Sequence, residues 1–315
     1  MKTAFLFPGQ GAQTVGMGRD IAQTFGAAAA IYKKANDIVG YDLQAICFDG
    51  PQEKLDSTVV SQPAIFVTSV AMLEALKGTE AALNLKADVT AGLSLGEYTA
   101  LYASGAMSFE DGLRLVQKRG NAMQAAADAT QGSMVSILGL DEEKVRQLCA
   151  EAADGELLVP ANFNCPGQIV LSGAKSACAR AEKLATEFGA VKAVVLRVGG
   201  AFHSHMMSPA AASLRQVLAQ TNIFAPKLKV IANIWANYYE SADKIREGLA
   251  RQLIQPILWQ NCMEKLIVDG VETFYEIGPG RVLTGLMRKI NRKANIINIS
   301  GVESLKELSE SAVRN

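Results

Sequence analysis

Gly92-Leu93-Ser94-Leu95-Gly96 sets a serine between two glycines in the pattern G-x-S-x-G. Val89, Ala91 and Leu93 alternate ahead of it as a buried strand would. Glu97, Tyr98, Ala100, Leu101 and Ala103 follow as a run that can become a helix. A serine on such a strand-to-helix turn presents its hydroxyl at a sharp corner, where flanking side chains would crowd the chain. The chemistry on offer is attack on a carbonyl. The same letters also allow a capped helix, with Ser94 as cap and Glu97 as its box partner. A nucleophilic serine needs two more things: a base for its proton and donors for the oxyanion.

The chain holds two imidazoles, His203 and His205, in GGAFHSHMMSP. Their two-residue spacing turns them opposite ways along an extended chain, so at most one faces Ser94, and residue type does not choose between them. The natural first oxyanion donor is the N–H of Leu95, the residue after the serine. The glycine-rich loop around Gln10, in PGQGAQTVGMG, offers a second. That loop lacks the G-K-[ST] of a phosphate loop and fits a dinucleotide fingerprint poorly.

These groups need a scaffold. The 315 residues suffice for a large core with a smaller domain attached. Lys2 to Phe7 reads as a strand, Arg19 to Val39 as one alanine-rich helix, and Ser61 to Leu76 as a helix with Pro63 in its first turn. Phe109 to Ala127 is a further helix. From Gly132 to Val198 the order is β-α-β-β-α-β, that of a ferredoxin-like unit. Strand and helix alternation then resumes, ending in a strand from Ala294 to Ile299. The fold class expected is α/β. A large α/β-hydrolase-like domain with a mostly parallel sheet (1–131 and 199–315) carries an inserted ferredoxin-like α+β domain (132–198).

Composition narrows the function. Thirty-one basic residues balance thirty-one acidic ones, which disfavours nucleic acid as a partner. The opening apolar run is too short for a signal peptide, and no stretch is expected to span a membrane. Five scattered cysteines without C-x-x-C pairs read as reduced thiols in a cytoplasmic protein. With two histidines, no protein-built metal site is expected. No unusual apolar face is evident, which favours a monomer.

Longer motifs carry a resemblance. FPGQGAQTVGMG from Phe7, GLSLGEYTAL from Gly92, VQKRGNAM from Val116 and NFNCPGQIVLSG from Asn162 are four of its pieces. GAFHSHMM from Gly200, QLIQPILW from Gln252 and EIGPGRVLTGL from Glu276 complete the set. Together and in this order they resemble the malonyl-CoA:acyl-carrier-protein transacylase family along nearly the full chain. The resemblance implies Ser94 as the acylated serine and His203 as the base. It implies a backbone carbonyl of Gln252 orienting that histidine, and Gln10 and Leu95 as oxyanion donors. Arg119 matches the arginine that pairs with the malonyl carboxylate, and Asn162 a pocket asparagine. Malonyl-CoA is then substrate rather than cofactor, and the acceptor is the phosphopantetheine thiol of acyl carrier protein. Leu93 stands where many members carry histidine. Phe202 resembles the malonyl-selective form, filling space a methyl branch would need.

Several readings stay open at this level: service to fatty-acid synthesis, supply of a polyketide synthase in trans, a serine hydrolase or thioesterase, or a non-catalytic docking subunit. Two basic groups are candidates to meet an acidic carrier. One is Arg281, Arg288, Lys289, Arg292 and Lys293; the other is Lys175, Arg180 and Lys183. The aromatic segment IANIWANYYES, 231–241, has no assigned role beyond packing or a partner surface.

Overall fold

A computed structural model describes residues 2–83 and 85–313. Among the described residues ten strands run in chain order: β1 (Lys2–Phe7), β2 (Val89–Gly92), β3 (Gly132–Leu138), β4 (Leu158–Cys165), β5 (Gln168–Ala174), β6 (Lys192–Val195), β7 (Lys229–Ala232), β8 (Asn237–Tyr238), β9 (Val271–Ile277) and β10 (Asn295–Ile299). Six of them form one sheet in the order β10-β9-β1-β2-β7-β8. Every neighbouring pair in it is parallel except β7 with β8. This is the mostly parallel, α/β-hydrolase-like sheet expected.

Because side chains alternate across a strand, β1 feeds two cores. Phe5 and Phe7 pack with the helices Thr58–Lys77 and Phe109–Asp128. Ala4 and Leu6 pack with Trp259, Met263 and Leu286 on the opposite face. A parallel sheet covered on both faces buries its strands completely, as it does β2, whose one polar side chain, Thr90, donates to the Ala100 oxygen.

The other four strands make an antiparallel sheet in the order β4-β5-β3-β6, backed by the helices Glu142–Ala153 and Lys175–Leu184. Their chain order is β-α-β-β-α-β, the ferredoxin-like arrangement. A parallel bridge, Asn162 to Ile257, helps tie the small sheet to the rest of the chain.

Several local expectations are corrected. The alanine-rich stretch is two helices, Arg19–Thr24 and Gly26–Val39, because Phe25 is extended and ends the first. Pro63 is not in a first turn; the helix begins at Thr58, so the proline lies inside it. That helix, Thr58–Lys77, is long and apolar enough to cross a membrane, against the expectation that no stretch is. However, 89% of its apolar window is buried inside the protein, where it serves as a core helix. Within the aromatic segment 231–241, Asn237–Tyr238 forms the short antiparallel strand β8. A last helix, Val302–Val313, follows β10 and was not anticipated.

Candidate active site

The site lies at the carboxyl ends of β1 and β2, where open α/β sheets place their ligands. Ser94 follows β2 directly, with a φ of 51° in the left-handed region. The glycines on either side are required by contact. A Cβ on Gly92 falls 1.9 Å from the Gly96 carbonyl carbon, and one on Gly96 falls 2.1 Å from the Phe7 oxygen. Strand, turn and helix therefore close on one another without room for a side chain.

The helix Gly96–Ala103 is not capped by Ser94. Its N-cap residue is Leu95, with no side-chain cap, so the box reading is set aside. Among the described residues, the N–H groups of Leu95 and Gln10 donate to no acceptor. Gly9 brings the second loop close, since a Cβ there falls 2.3 Å from the Leu93 oxygen.

His203 also has a left-handed backbone, with a φ of 59°. Its Nε2 is 3.0 Å from the Ser94 Oγ, and its Nδ1 is 2.7 Å from the main-chain oxygen of Gln252. A carbonyl can only accept, so Nδ1 carries the hydrogen and Nε2 presents its lone pair to the serine. His205 is exposed on the next short turn and plays no part in this contact.

Arg119 projects from the helix Phe109–Asp128 and is 1% exposed. Its Nη1 donates to the Gln62 Oε1 at 2.7 Å. Its Nη2 donates to the Gln252 Oε1 at 3.0 Å and to the Ser94 Oγ at 3.1 Å. The guanidinium carbon sits 5.4 Å from the centre of the Tyr98 ring. The Nε–H of Arg119 is buried with no partner. Burial and the Arg119 charge push the His203 imidazole down to about 3, against the opposing pull of the Gln252 carbonyl.

A cleft of about 470 Å³ opens over these groups. Gln10, Leu93, Ser94, Arg119, Phe202 and His203 line it from the large sheet's side. Met134, Asn162, Asn164 and Val170 line it from the antiparallel sheet. The structure thus gathers the sequence candidates Ser94, His203, Gln252, Gln10, Leu95, Arg119, Asn162, Phe202 and Leu93 in or against one cavity. Among the described residues no group of three or more His, Cys, Asp or Glu is placed to hold a metal ion.

Sequence reasoning missed a buried layer beneath them. Asn233 is fully buried; its Oδ1 accepts from the Ser94 N–H at 2.7 Å and its Nδ2 donates to the Gly92 oxygen at 2.8 Å. Because that bond occupies the Ser94 N–H, Ser94 does not supply an oxyanion donor itself. Glu97 lies under the turn and accepts from Gln252, Asn233 and Tyr239. Both Asn233 and Tyr239 come from the aromatic segment left without a role. Its remaining rings pack: Trp235 lies edge-on to Tyr239, and the Tyr238 hydroxyl donates to Asp269.

Comparison with known proteins decides the family. Residues 4–307 match the model of the acyl transferase domain. The chain is 42% identical over 305 residues to the malonyl CoA-acyl carrier protein transacylase of Bacillus subtilis, covering 96% of this chain and 95% of that one. The crystal structure of the Clostridium perfringens transacylase superposes with a TM-score of 0.93 at 39% identity, covering 100% of this chain and 98% of that one. The chain belongs to the malonyl-CoA:acyl-carrier-protein transacylase family. A further relative, a malonyl-transacylase solved in complex with a type II PKS acyl-carrier protein, matches with a TM-score of 0.94 at 38% identity. It covers 99% of this chain and 100% of that one, so likeness to the transacylases runs through both sheets and the cleft between them.

Proposed function

We propose that the protein transfers a malonyl group from malonyl-CoA to the phosphopantetheine thiol of acyl carrier protein, through a malonyl ester on Ser94, and so supplies fatty-acid synthesis. The observation that carries this reading is a buried arginine on the nucleophile itself: Arg119 reaches the Ser94 Oγ, which in turn meets His203. A thioesterase with water as acceptor has no use for a fixed cation there. A malonyl donor does, because its far end is a carboxylate that a guanidinium holds by paired charge-assisted bonds.

In this reading Ser94 gives its proton to the Nε2 of His203 as Oγ attacks the thioester carbon. The N–H groups of Leu95 and Gln10 hold the oxyanion. The C–S bond breaks, coenzyme A leaves with the proton from His203, and malonyl-Ser94 remains. The carrier's thiol then gives its proton to His203 and attacks the ester. The C–O bond breaks and Ser94 recovers its hydrogen. Phe202, 4% exposed against the cleft, fills space that a methylmalonyl branch would need. Leu93 keeps the wall beside the serine apolar, and Asn162 offers a polar contact from the small sheet.

Residues 1–131 and 199–315 act as the catalytic domain, and 132–198 as an inserted domain walling the cleft. The later basic group suits the acidic carrier better. Val282 and Leu286, on the helix that carries Arg288 and Lys289 in its last turn, line the cleft. By contrast Arg180 spends its guanidinium on Ala152, Ala153 and Glu156. The protein works as a cytoplasmic monomer; its five cysteines are buried and unpaired, as suits a reducing compartment. The same chemistry would serve a polyketide carrier.

Intact mass after mixing with malonyl-CoA tests the reading. The expected result is a malonyl adduct on Ser94 that persists in water and is discharged by holo carrier protein. Rapid hydrolysis with no effect of carrier would make the protein a hydrolase instead.

A further inference from the structure

Glu97 is 1% exposed and does not line the cleft, yet through Gln252 it is joined to the working groups. One oxygen accepts from the Gln252 side-chain amide at 2.7 Å and from the Asn233 backbone N–H at 3.3 Å. The other accepts from the Tyr239 hydroxyl. The same Gln252 amide nitrogen also donates to the main-chain oxygen of Ser94 at 2.9 Å. With its nitrogen fixed on those two acceptors, Gln252 must turn its amide oxygen toward Arg119, which it meets at 3.0 Å. Its main-chain oxygen meets His203 at 2.7 Å.

We infer that Glu97 is a positioning residue which, through the single side chain of Gln252, sets both the general base and the arginine that reads the malonyl carboxylate. This rests on the function proposed above. The carboxylate decides which way Gln252 faces. Were Glu97 replaced by a group that cannot accept, the amide would be free to flip and present its NH₂ to Arg119, donor against donor. The guanidinium would then swing, and the turn of helix carrying the Gln252 carbonyl would lose its anchor. Burial pushes the Glu97 carboxyl up to about 7, opposed by its bonds from Tyr239, Gln252 and Asn233 and by the Arg119 charge. Two N–H donors face the oxygen that Gln252 meets, so when the carboxyl is protonated the hydrogen belongs on the other oxygen, beside the Tyr239 hydroxyl, and the bond from Gln252 is kept in either state.

Acylation rates with malonyl-CoA and acetyl-CoA separate the two arms, since only malonyl uses Arg119. For Glu97→Ala the expected loss is about 100-fold with malonyl-CoA and about 10-fold with acetyl-CoA, the scale of one or two lost bonds to charged groups. Glu97→Gln, whose amide oxygen can still accept from Gln252, should recover at least half of the logarithmic loss in both. Equal losses with the two donors, or no recovery by glutamine, would show a merely structural carboxylate and overturn the inference. Should the alanine variant not fold, Tyr239→Phe removes one bond from Glu97 and keeps the packing. A malonyl-to-acetyl ratio reduced about threefold or more supports the inference, and a wild-type ratio overturns it. Failure of wild-type protein to form a malonyl adduct would instead sink the proposed function, and the inference with it.

Discussion

The Nη2 of Arg119 donates to the Oγ of Ser94 across 3.1 Å, so the cation proposed to read the malonyl carboxylate rests on the proposed nucleophile. Two consequences follow. The bond draws on the serine lone pairs and must yield when a carboxylate arrives. The charge also depresses the nearby imidazole, second only to burial as a cause. A malonyl carboxylate that neutralises Arg119 therefore strengthens His203 as a base, whereas acetyl does not. Arg119→Ala is expected to lower acylation by malonyl-CoA by about 100-fold or more, the cost of a buried charge-assisted pair. Acylation by acetyl-CoA should fall far less. Its acid limb should move to higher pH, because removing a like charge makes imidazolium easier to form. Stopped-flow release of coenzyme A from pH 3 to 8 checks both effects. Equal losses with the two donors and an unmoved limb would remove Arg119 from the clamp.

His203 and Glu97 load the stability curve in opposite senses. The imidazole drops from 6.5 to about 3 on folding, so the folded state binds fewer protons in that window. Stability from this source is whole above pH 6.5 and is lost as pH falls toward 3, by roughly 5 kcal/mol in all at about 1.4 kcal/mol per unit. Glu97 rises from 4.5 to about 7, so the folded state binds the extra proton, and stability falls as pH climbs through that window. By the same conversion that loss is roughly 3 kcal/mol. Between 4.5 and 6.5 the two nearly cancel. Urea midpoints should show His203→Asn gaining on wild type as pH falls from 6.5 to 3. Glu97→Gln should gain on wild type as pH rises from 4.5 to 7. Parallel curves for either variant would mean that its group does not titrate as the burial demands.

The serine turn carries strain that can be released. Non-glycine residues at positive φ cost about 1–2 kcal/mol each, and Ser94 sits at 51°. Ser94→Ala and Ser94→Gly both remove the hydroxyl and should both fail to take a malonyl group. Glycine alone relieves the backbone, so thermal unfolding is expected to find Ser94→Gly more stable than Ser94→Ala by about 1 kcal/mol, after the entropy of its looser unfolded chain. Equal stability would mean that the turn costs nothing.

What the sequence showed and what it hid divide along physical lines. G-x-S-x-G was legible because two backbones touch there and only glycine fits, a demand written in single letters. The alternation of strand and helix likewise follows from local patterns of apolar residues. The choice between His203 and His205 was not local: it depends on which ring lies near the Gln252 carbonyl, 49 positions along the chain. Asn233, 139 positions from Ser94, and Tyr239, 142 from Glu97, were invisible for the same reason. A buried polar network is defined by what it touches, and an asparagine in IANIWANYYES looks like a turn residue until the partner appears. Glu97 misled more directly, because a glutamate three residues after a serine reads as a helix cap.

Asn233 gives the sharpest test of that hidden layer. Its oxygen accepts from the Ser94 N–H, and its nitrogen donates to the Gly92 oxygen. Both bonds hold the two sides of the nucleophile turn together. Asn233→Asp keeps the shape and the acceptor but, when ionised, sets an oxygen against the Gly92 oxygen and a second carboxylate beside Glu97. When protonated, it can donate to Gly92 as the amide did. The variant should therefore lie close to wild type in stability near pH 4. It should fall behind by about 1–3 kcal/mol or more near pH 8, the penalty of an unsatisfied buried group. Its malonylation rate should follow the same pH trend, because the turn that aims Ser94 loosens with it. Paired urea titrations and adduct-formation rates at the two pH values measure this. A deficit independent of pH would mean that the Gly92 bond contributes nothing and that Asn233 acts by its bulk alone.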